Sequence, residues 1–204
     1  MTGTDFLPRR AISVRIRPVL LAAATAILGV ALVGSMGVAG FRWNSTSSAP
    51  VGLWRPVSGS SLAIGQHVAA CVRSEAPAIQ VAIERHYLPS GDCAGGVAPL
   101  LKMIAAIPGQ RVELSPDGIS VDGAAVERAE MLSADSAGRA LPHAQLGIYR
   151  LAANQYWLLS PENPRSLDSR YFGPVTREEI LSAYAPVLTF RSAGESGCAC
   201  SLSK

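Results

Sequence analysis

Charge is scarce in this chain. Only 16% of its 204 residues are charged, and the formal net charge is +3. Much of that excess sits in Arg9, Arg10, Arg15 and Arg17, against Asp5 alone, so the remainder is close to neutral. No basic stripe is left to meet a phosphate backbone, and no nucleic-acid partner is expected. Cysteine is also sparse, with Cys71, Cys93, Cys198 and Cys200 the full set. There is no Cys-x-x-Cys pair and no His-rich cluster, so metal ligation is the weaker reading and no cofactor is expected. His67, His86 and His143 stand in unrelated contexts: a strand, a helix end and a loop. No nucleophile-elbow motif accompanies them, which argues against a Ser/His/Asp triad and leaves them structural or surface residues. Internal repeats and heptads are missing as well.

What the chain does have is apolar sequence, enough for a sizeable core. From Val19 to Phe41 no residue is charged. That length meets the roughly 20 apolar residues needed to span a bilayer. The arginines precede the run, so the positive-inside rule puts the N-terminus in the cytoplasm and everything after Arg42 outside. A cleaved secretory signal is the rival, because Val38-Ala39-Gly40 offers small residues; Arg9-Arg10 hints only weakly at a twin-arginine signal. The run exceeds the usual signal-peptide core, which favours an uncleaved anchor. On either reading the domain is exported, a compartment that suits disulfides. Cys71 and Cys93 flank one insertion and can close it, while Cys198 and Cys200 lie in a Gly/Ser-rich tail with their pairing open.

The expected organisation is a basic cytoplasmic tail at 1–18, an anchor at 19–41, an extracytoplasmic domain at 42–191 and a tail at 192–204. Arg42-Trp43 suits the headgroup level. Asn44 to Gly52 reads as a polar loop or extended stretch. A strand follows within Leu62 to Arg73, and Ala76 to Tyr87 is the best soluble helix, with Ile79 and Ile83 on its core face. Next come a strand around Lys102 and a hairpin turning at Pro116-Asp117-Gly118. Residues 127–145 read as a polar surface excursion, and Leu146–Leu151, Tyr156–Leu159 and Leu181–Phe190 as further strands. The fold class is mostly β, antiparallel, with one inserted helix and an N-terminal transmembrane helix.

Two stretches carry chemistry. Leu100 to Gly109 is apolar except for Lys102 near its middle. A lysine there snorkels to water or is desolvated, and desolvation turns an ammonium into a usable base. A lysine in a strand otherwise deters edge-to-edge aggregation, and a Ser/Thr-rich run such as Ser45 to Ser48 is otherwise a linker. Pro50 and Gly52 give that run more structure than a linker needs.

Three separated stretches are similar to one family. Thr46-Ser47-Ser48-Ala49-Pro50-Val51-Gly52-Leu53-Trp54 resembles the nucleophile box of the serine/lysine signal peptidases. Leu101 to Gly109 resembles their general-base box, and Ser166-Leu167-Asp168-Ser169-Arg170-Tyr171-Phe172-Gly173 resembles their last box. The pattern Asn44-x-Thr46-x-Ser48-x-Pro50-x-Gly52 and the cysteine-flanked insertion are most like the TraF-type conjugative transfer peptidases. Departures are Met103 for the usual arginine, Gln110 for the aspartate after Pro-Gly, and Ser160-Pro161-Glu162 where the last box begins Gly-Asp-Asn.

The resemblance implies a signal-peptidase fold and a membrane-anchored serine endopeptidase that processes an exported pilin or similar precursor for conjugation. In some TraF-type proteins a substrate amine resolves the acyl-enzyme and yields a cyclic product. It implies Ser48 as nucleophile and Lys102 as general base, with Ser166 holding the amine. The Ser48 backbone N–H and the Thr46 hydroxyl would donate to the oxyanion. Ser47 stays open as the alternative nucleophile, three residues before Pro50. Asp168 and Arg170, sharing a face if the chain is extended, are read as a bracing ion pair. Tyr171 and Phe172 are read as core anchors. The rival functions are a non-catalytic envelope subunit in contact with other conjugation proteins, and a general leader peptidase.

Overall fold

The computed structural model describes residues 16–59 and 61–190. Most of the expected basic tail, and the C-terminal stretch with Cys198 and Cys200, lie outside the described residues. The chain divides into two units, Met1–Gly40 and Phe41–Lys204. The first contains α1, Ile16–Val38, whose 23 residues give a length of about 35 Å at 1.5 Å per residue. Its Leu20–Val38 portion is long and apolar enough to cross a membrane, and none of it is buried.

The second unit is built on two antiparallel sheets. The larger has seven strands: β1 (Arg42–Asn44), β2 (Val51–Val57), β3 (His67–Ala70), β4 (Leu100–Ala106), β9 (Gln155–Leu159), β10 (Val175–Thr176) and β11 (Ile180–Phe190). Their order across the sheet is β1-β2-β11-β3-β4-β9-β10. The smaller sheet runs β7-β6-β5-β8, from β5 (Arg111–Ser115), β6 (Gly118–Val121), β7 (Ala124–Ala125) and β8 (Gly147–Arg150). Residues 127–145 contain no helix or named strand. Gln110 takes over the turn after β4: its Oε1 accepts from Ile107 N at 3.0 Å, and its Nε2 donates to Asp122 Oδ2 at 2.8 Å.

Among the described residues, two α-helices accompany this frame. Pro77–Glu84 forms α2, opened by proline at its first turn, where the missing N–H costs nothing. Its Ile79 joins Val68, Ile104, Leu158 and Phe172 in the main core. The four-residue α3, Ser169–Phe172, was not expected as a helix, because Asp168-x-Arg170 reads equally well as extended chain. A second core of Val112, Leu114, Ile119, Trp157 and Leu159 joins residues of both sheets. Cys71 and Cys93 are disulfide-bonded across 22 residues, which removes about 3 kcal/mol of loop entropy from the unfolded chain.

Strand β2 was also missed, and Gly52 explains why. Its two buried alternate positions are Gly52 and Trp54, so half of the apolar alternation is carried by a residue with no side chain. Gly52 pairs with Asn44 on one side and Thr189 on the other. At φ +147° a Cβ there would lie 2.0 Å from Leu188 O. Gly52→Ala is therefore expected to cost about 3 kcal/mol or more, from strained backbone and overpacking together. Thermal unfolding of the two proteins checks this; an unchanged midpoint would contradict it.

Candidate active site

The turn between β1 and β2 carries the serines, and Asn44 shapes it. The Asn44 side chain is buried, and its Nδ2 donates to Thr46 O at 2.9 Å, Ala49 O at 2.9 Å and Pro50 O at 3.2 Å. Its Oδ1 accepts from Thr46 N at 3.2 Å and from Thr46 Oγ1 at 2.8 Å. One side chain thus satisfies the polar backbone of a loop that has no ladder of its own. Trp54 lies in a small core with Ala49, Ala69 and Tyr184, and its Nε1 donates to Pro50 O at 3.1 Å. Thr46 has one hydroxyl proton, and Asn44 Oδ1 takes it. The 2.8 Å contact between Thr46 Oγ1 and Ser48 Oγ is therefore donated by Ser48 at rest. The Ser48 backbone N–H has no acceptor among the described residues. The Ser47 hydroxyl instead accepts from Asn163 Nδ2 at 2.7 Å.

Lys102 lies in β4, fifth in the seven-strand order, so it is no edge residue. The buried alternate positions of this strand are Lys102, Ile104 and Ala106. Val68 stands directly across from Lys102 on β3. Lys102 is 3% exposed. Burial pushes its ammonium down from 10.5 to about 8; Asp168 and Glu162 oppose the shift and Arg170 adds to it. The amine donates to Ser166 Oγ and, at 3.1 Å, to Ser160 Oγ.

Both hydroxyls sit on a loop fixed by a buried ion pair. Asp168 and Arg170 are 0% and 1% exposed. Asp168 caps α3: its Oδ1 accepts from Arg170 N at 3.2 Å and from Arg170 Nε at 2.8 Å. Its Oδ2 accepts from Arg170 Nη2 at 2.8 Å and from Ser160 N at 3.1 Å. Arg170 in turn donates to Ser166 O at 3.3 Å and to Glu130 O. The pair therefore forms across a helix N-cap rather than along an extended strand, and it holds the backbone of both serines that touch Lys102. Tyr171 and Phe172 are buried beside it.

Ser48 and Lys102 line one cavity of about 620 Å³ together with Thr46, Ser47 and Ser166. No hydrogen bond joins Ser48 to Lys102 among those of the described residues; catalytic contacts of this kind often tighten only when substrate is bound. The far wall comes from the disulfide-closed insertion and the 127–145 excursion, which meet at Asp135. Arg85 Nη1 donates to Asp135 Oδ2 at 3.1 Å and Arg139 Nε at 2.8 Å, and the Tyr87 hydroxyl adds a third bond. The Tyr87 hydroxyl is the largest of the causes holding Asp135 well below the usual carboxylate range.

Of the residues singled out from sequence, Thr46 and Ser48 are in contact, Lys102 and Ser166 are in contact, and Asp168 and Arg170 are in contact. Ser160, Asn44 and the Asp135 cluster were missed. Asn44 had a signal in the Asn-x-Thr-x-Ser pattern, and Ser160 had one as a departure; the Asp135 cluster joins segments about fifty residues apart and had none. The histidines stay apart from this chemistry. His67 packs its ring on Trp54 at 4.8 Å, burial pushes it down to about 4, and its Nε2 has no hydrogen-bond partner among the described residues.

The family model described as signal peptidase, peptidase S26, matches residues 14–188. The conjugal transfer protein TraF of Agrobacterium tumefaciens (strain 15955) is 38% identical over 175 residues, covering 85% of this chain and 97% of its own. A plasmid transfer protein TraF of Escherichia coli is 34% identical over 160 residues, covering 78% and 89%. A crystal structure of a signal peptidase I from Enterococcus faecalis V583 aligns at 18% identity with a TM-score of 0.34, over 60% of this chain and 96% of that one. The chain belongs to the signal peptidase family, peptidase S26, and its curated relatives are TraF proteins of conjugal and plasmid transfer.

Proposed function

We propose that this protein is a membrane-anchored serine endopeptidase of the signal-peptidase type that uses a Ser48/Lys102 dyad on an exported precursor. Membership in the family implies serine protease activity. The observation that carries the dyad is Lys102: an amine 3% exposed, held by hydroxyls and opening on the cavity that also holds Ser48. Burying an amine costs stability. A non-catalytic envelope subunit would gain nothing from keeping one there.

In the proposed cycle neutral Lys102 takes the Ser48 hydroxyl proton as Ser48 Oγ attacks the scissile carbonyl. The Ser48 backbone N–H donates to the oxyanion, and the Thr46 hydroxyl joins it after turning from Asn44. Lys102 then gives the proton to the leaving amine, and water or a substrate amine resolves the acyl-enzyme. Ser166, Asp168 and Arg170 hold the lysine.

The substrate class is a pilin or related exported subunit, in keeping with the conjugal-transfer names of the relatives. Residues 1–18 would be cytoplasmic, 19–41 the anchor, 42–191 the periplasmic domain and 192–204 a tail. Exposed Trp43, Val187, Leu188 and Phe190 on the second unit, with the Trp43 and Phe190 rings 6.4 Å apart, suit contact with a lipid surface and support this placement.

The test is intact mass of the pilin precursor co-expressed with wild type, Ser48→Ala or Ser47→Ala. Cleavage should vanish in Ser48→Ala and persist in Ser47→Ala, and the product mass separates hydrolysis from cyclisation by one water. The reverse pattern would move the nucleophile to Ser47; cleavage retained in both would overturn the dyad.

A further inference from the structure

Lys102 is held by two hydroxyls, and Ser160 supplies one of them at a position where the last box usually has glycine, which has none. A neutral primary amine has two N–H bonds and one lone pair. Here Nζ donates to Ser160 Oγ at 3.1 Å and also to Ser166 Oγ, and it has no third partner among the described residues. Ser160 and Ser166 are 1% and 5% exposed, so both are largely shielded from bulk solvent. Ser160 is itself fixed, since its backbone N–H donates to Asp168 Oδ2 at 3.1 Å.

We propose that Ser160 is a positioning residue: with Ser166 it occupies both N–H bonds of the neutral Lys102 amine, so that the lone pair is the one direction left for the Ser48 proton. The inference rests on the Ser48/Lys102 reading above. When Ser48 attacks, its O–H bond breaks and a third N–H bond forms on Lys102, along the lone-pair direction. The other two N–H bonds remain on Ser160 and Ser166. The proton next given to the leaving amine is therefore the one just received, and Lys102 returns to its starting state with atoms balanced.

The cradle also makes a distinctive kinetic signature. Ser160 accepts from the amine, and an acceptor favours the ammonium more than the amine. Removing its hydroxyl should therefore shift the titration of Lys102 downward, while Asp168, Glu162 and Arg170 stay as they are. A rate loss caused by a misdirected lone pair has to persist on the alkaline plateau, where the amine is neutral with or without Ser160.

The experiment measures kcat, KM and the pH profile of full-length wild type, Ser160→Ala, Ser160→Gly and Ser160→Thr on the same precursor, with thermal unfolding of each. Expected for Ser160→Ala and Ser160→Gly is a kcat about tenfold lower on the alkaline plateau, about one oriented hydrogen bond. KM should be unchanged and the midpoint displaced to lower pH. Ser160→Thr, which keeps the hydroxyl, should restore most of kcat. Wild-type kcat with an unmoved midpoint in Ser160→Ala would overturn the proposal. So would a loss that tracks unfolding alone, or a Ser160→Thr no better than Ser160→Gly. Ser48→Ala run beside them separates the two ideas, since cleavage by that variant removes the dyad whatever Ser160 does.

Discussion

Lys102→Met should abolish precursor cleavage while making the folded protein more stable at pH 7. Methionine matches the length of the lysine stem but carries neither charge nor base. Loss of the general base of such a catalytic unit costs on the order of 10⁶-fold in turnover. The stability effect has the opposite direction. Folded Lys102 titrates at about 8 against an ordinary 10.5, so between those values the unfolded chain binds more protons and stability rises with pH. Below about pH 8 both states hold the proton, and the fold bears the whole cost of the buried ammonium. The gap corresponds to about 3 kcal/mol. The Lys102→Met variant would escape that cost but leave Ser160 and Ser166 without their partner, so a net gain of about 1–2 kcal/mol is expected. Activity by intact mass and thermal unfolding at pH 7 measure both halves. A variant that still cleaves, or one that is destabilised at pH 7, would contradict a desolvated catalytic amine.

Breaking the buried ion pair beneath the site should produce the largest stability loss. Asp168→Ala leaves the Arg170 guanidinium buried at 1% exposure without its carboxylate. Stranded buried charges of this kind cost about 3–5 kcal/mol. For a domain of this size that is a fall of about 10 °C or more in Tm. Removing both charges is a milder change, because no charge remains to be desolvated. Asp168→Ala with Arg170→Met should therefore be more stable than Asp168→Ala alone, a non-additivity of at least about 1 kcal/mol. Activity should not return with stability, since Ser160 N and Ser166 O lose the partners that fix them. Additive losses in thermal unfolding would show that the two side chains are not coupled.

The parts of this molecule legible in sequence are those whose signal is local. Pro116-Asp117-Gly118 announces its hairpin, and β5 and β6 pair across it with Ser115 opposite Gly118. The apolar run around Lys102 forms β4, and the Ile79 face of α2 enters the core. Strand β2 escaped because a glycine fills one of its buried alternate positions. Helix α3 escaped because four residues are too few to show a period, and its start is decided by the Asp168 cap rather than by propensity. In the site, the three boxes brought Ser48, Lys102 and Ser166 to notice, but Ser160 only as an irregularity. Its meaning depends on a side chain 58 residues away in sequence, and spacing carries no such information. The same holds for Asp135, bonded by Arg85 and Tyr87 from 50 and 48 residues away.

The pH dependence of kcat/KM, taken on the full-length protein from pH 6 to 10 with its precursor, tests the neutral lysine most directly, because this parameter reports the free enzyme's ionisations. An amine at about 8 is roughly one-tenth neutral at pH 7 and nine-tenths neutral at pH 9, so cleavage efficiency should rise about tenfold between them. A single rise with its midpoint near 8 is the expected result. A flat profile, or a rise whose midpoint lies near the ordinary 10.5, would mean that Lys102 is not the desolvated base of this site.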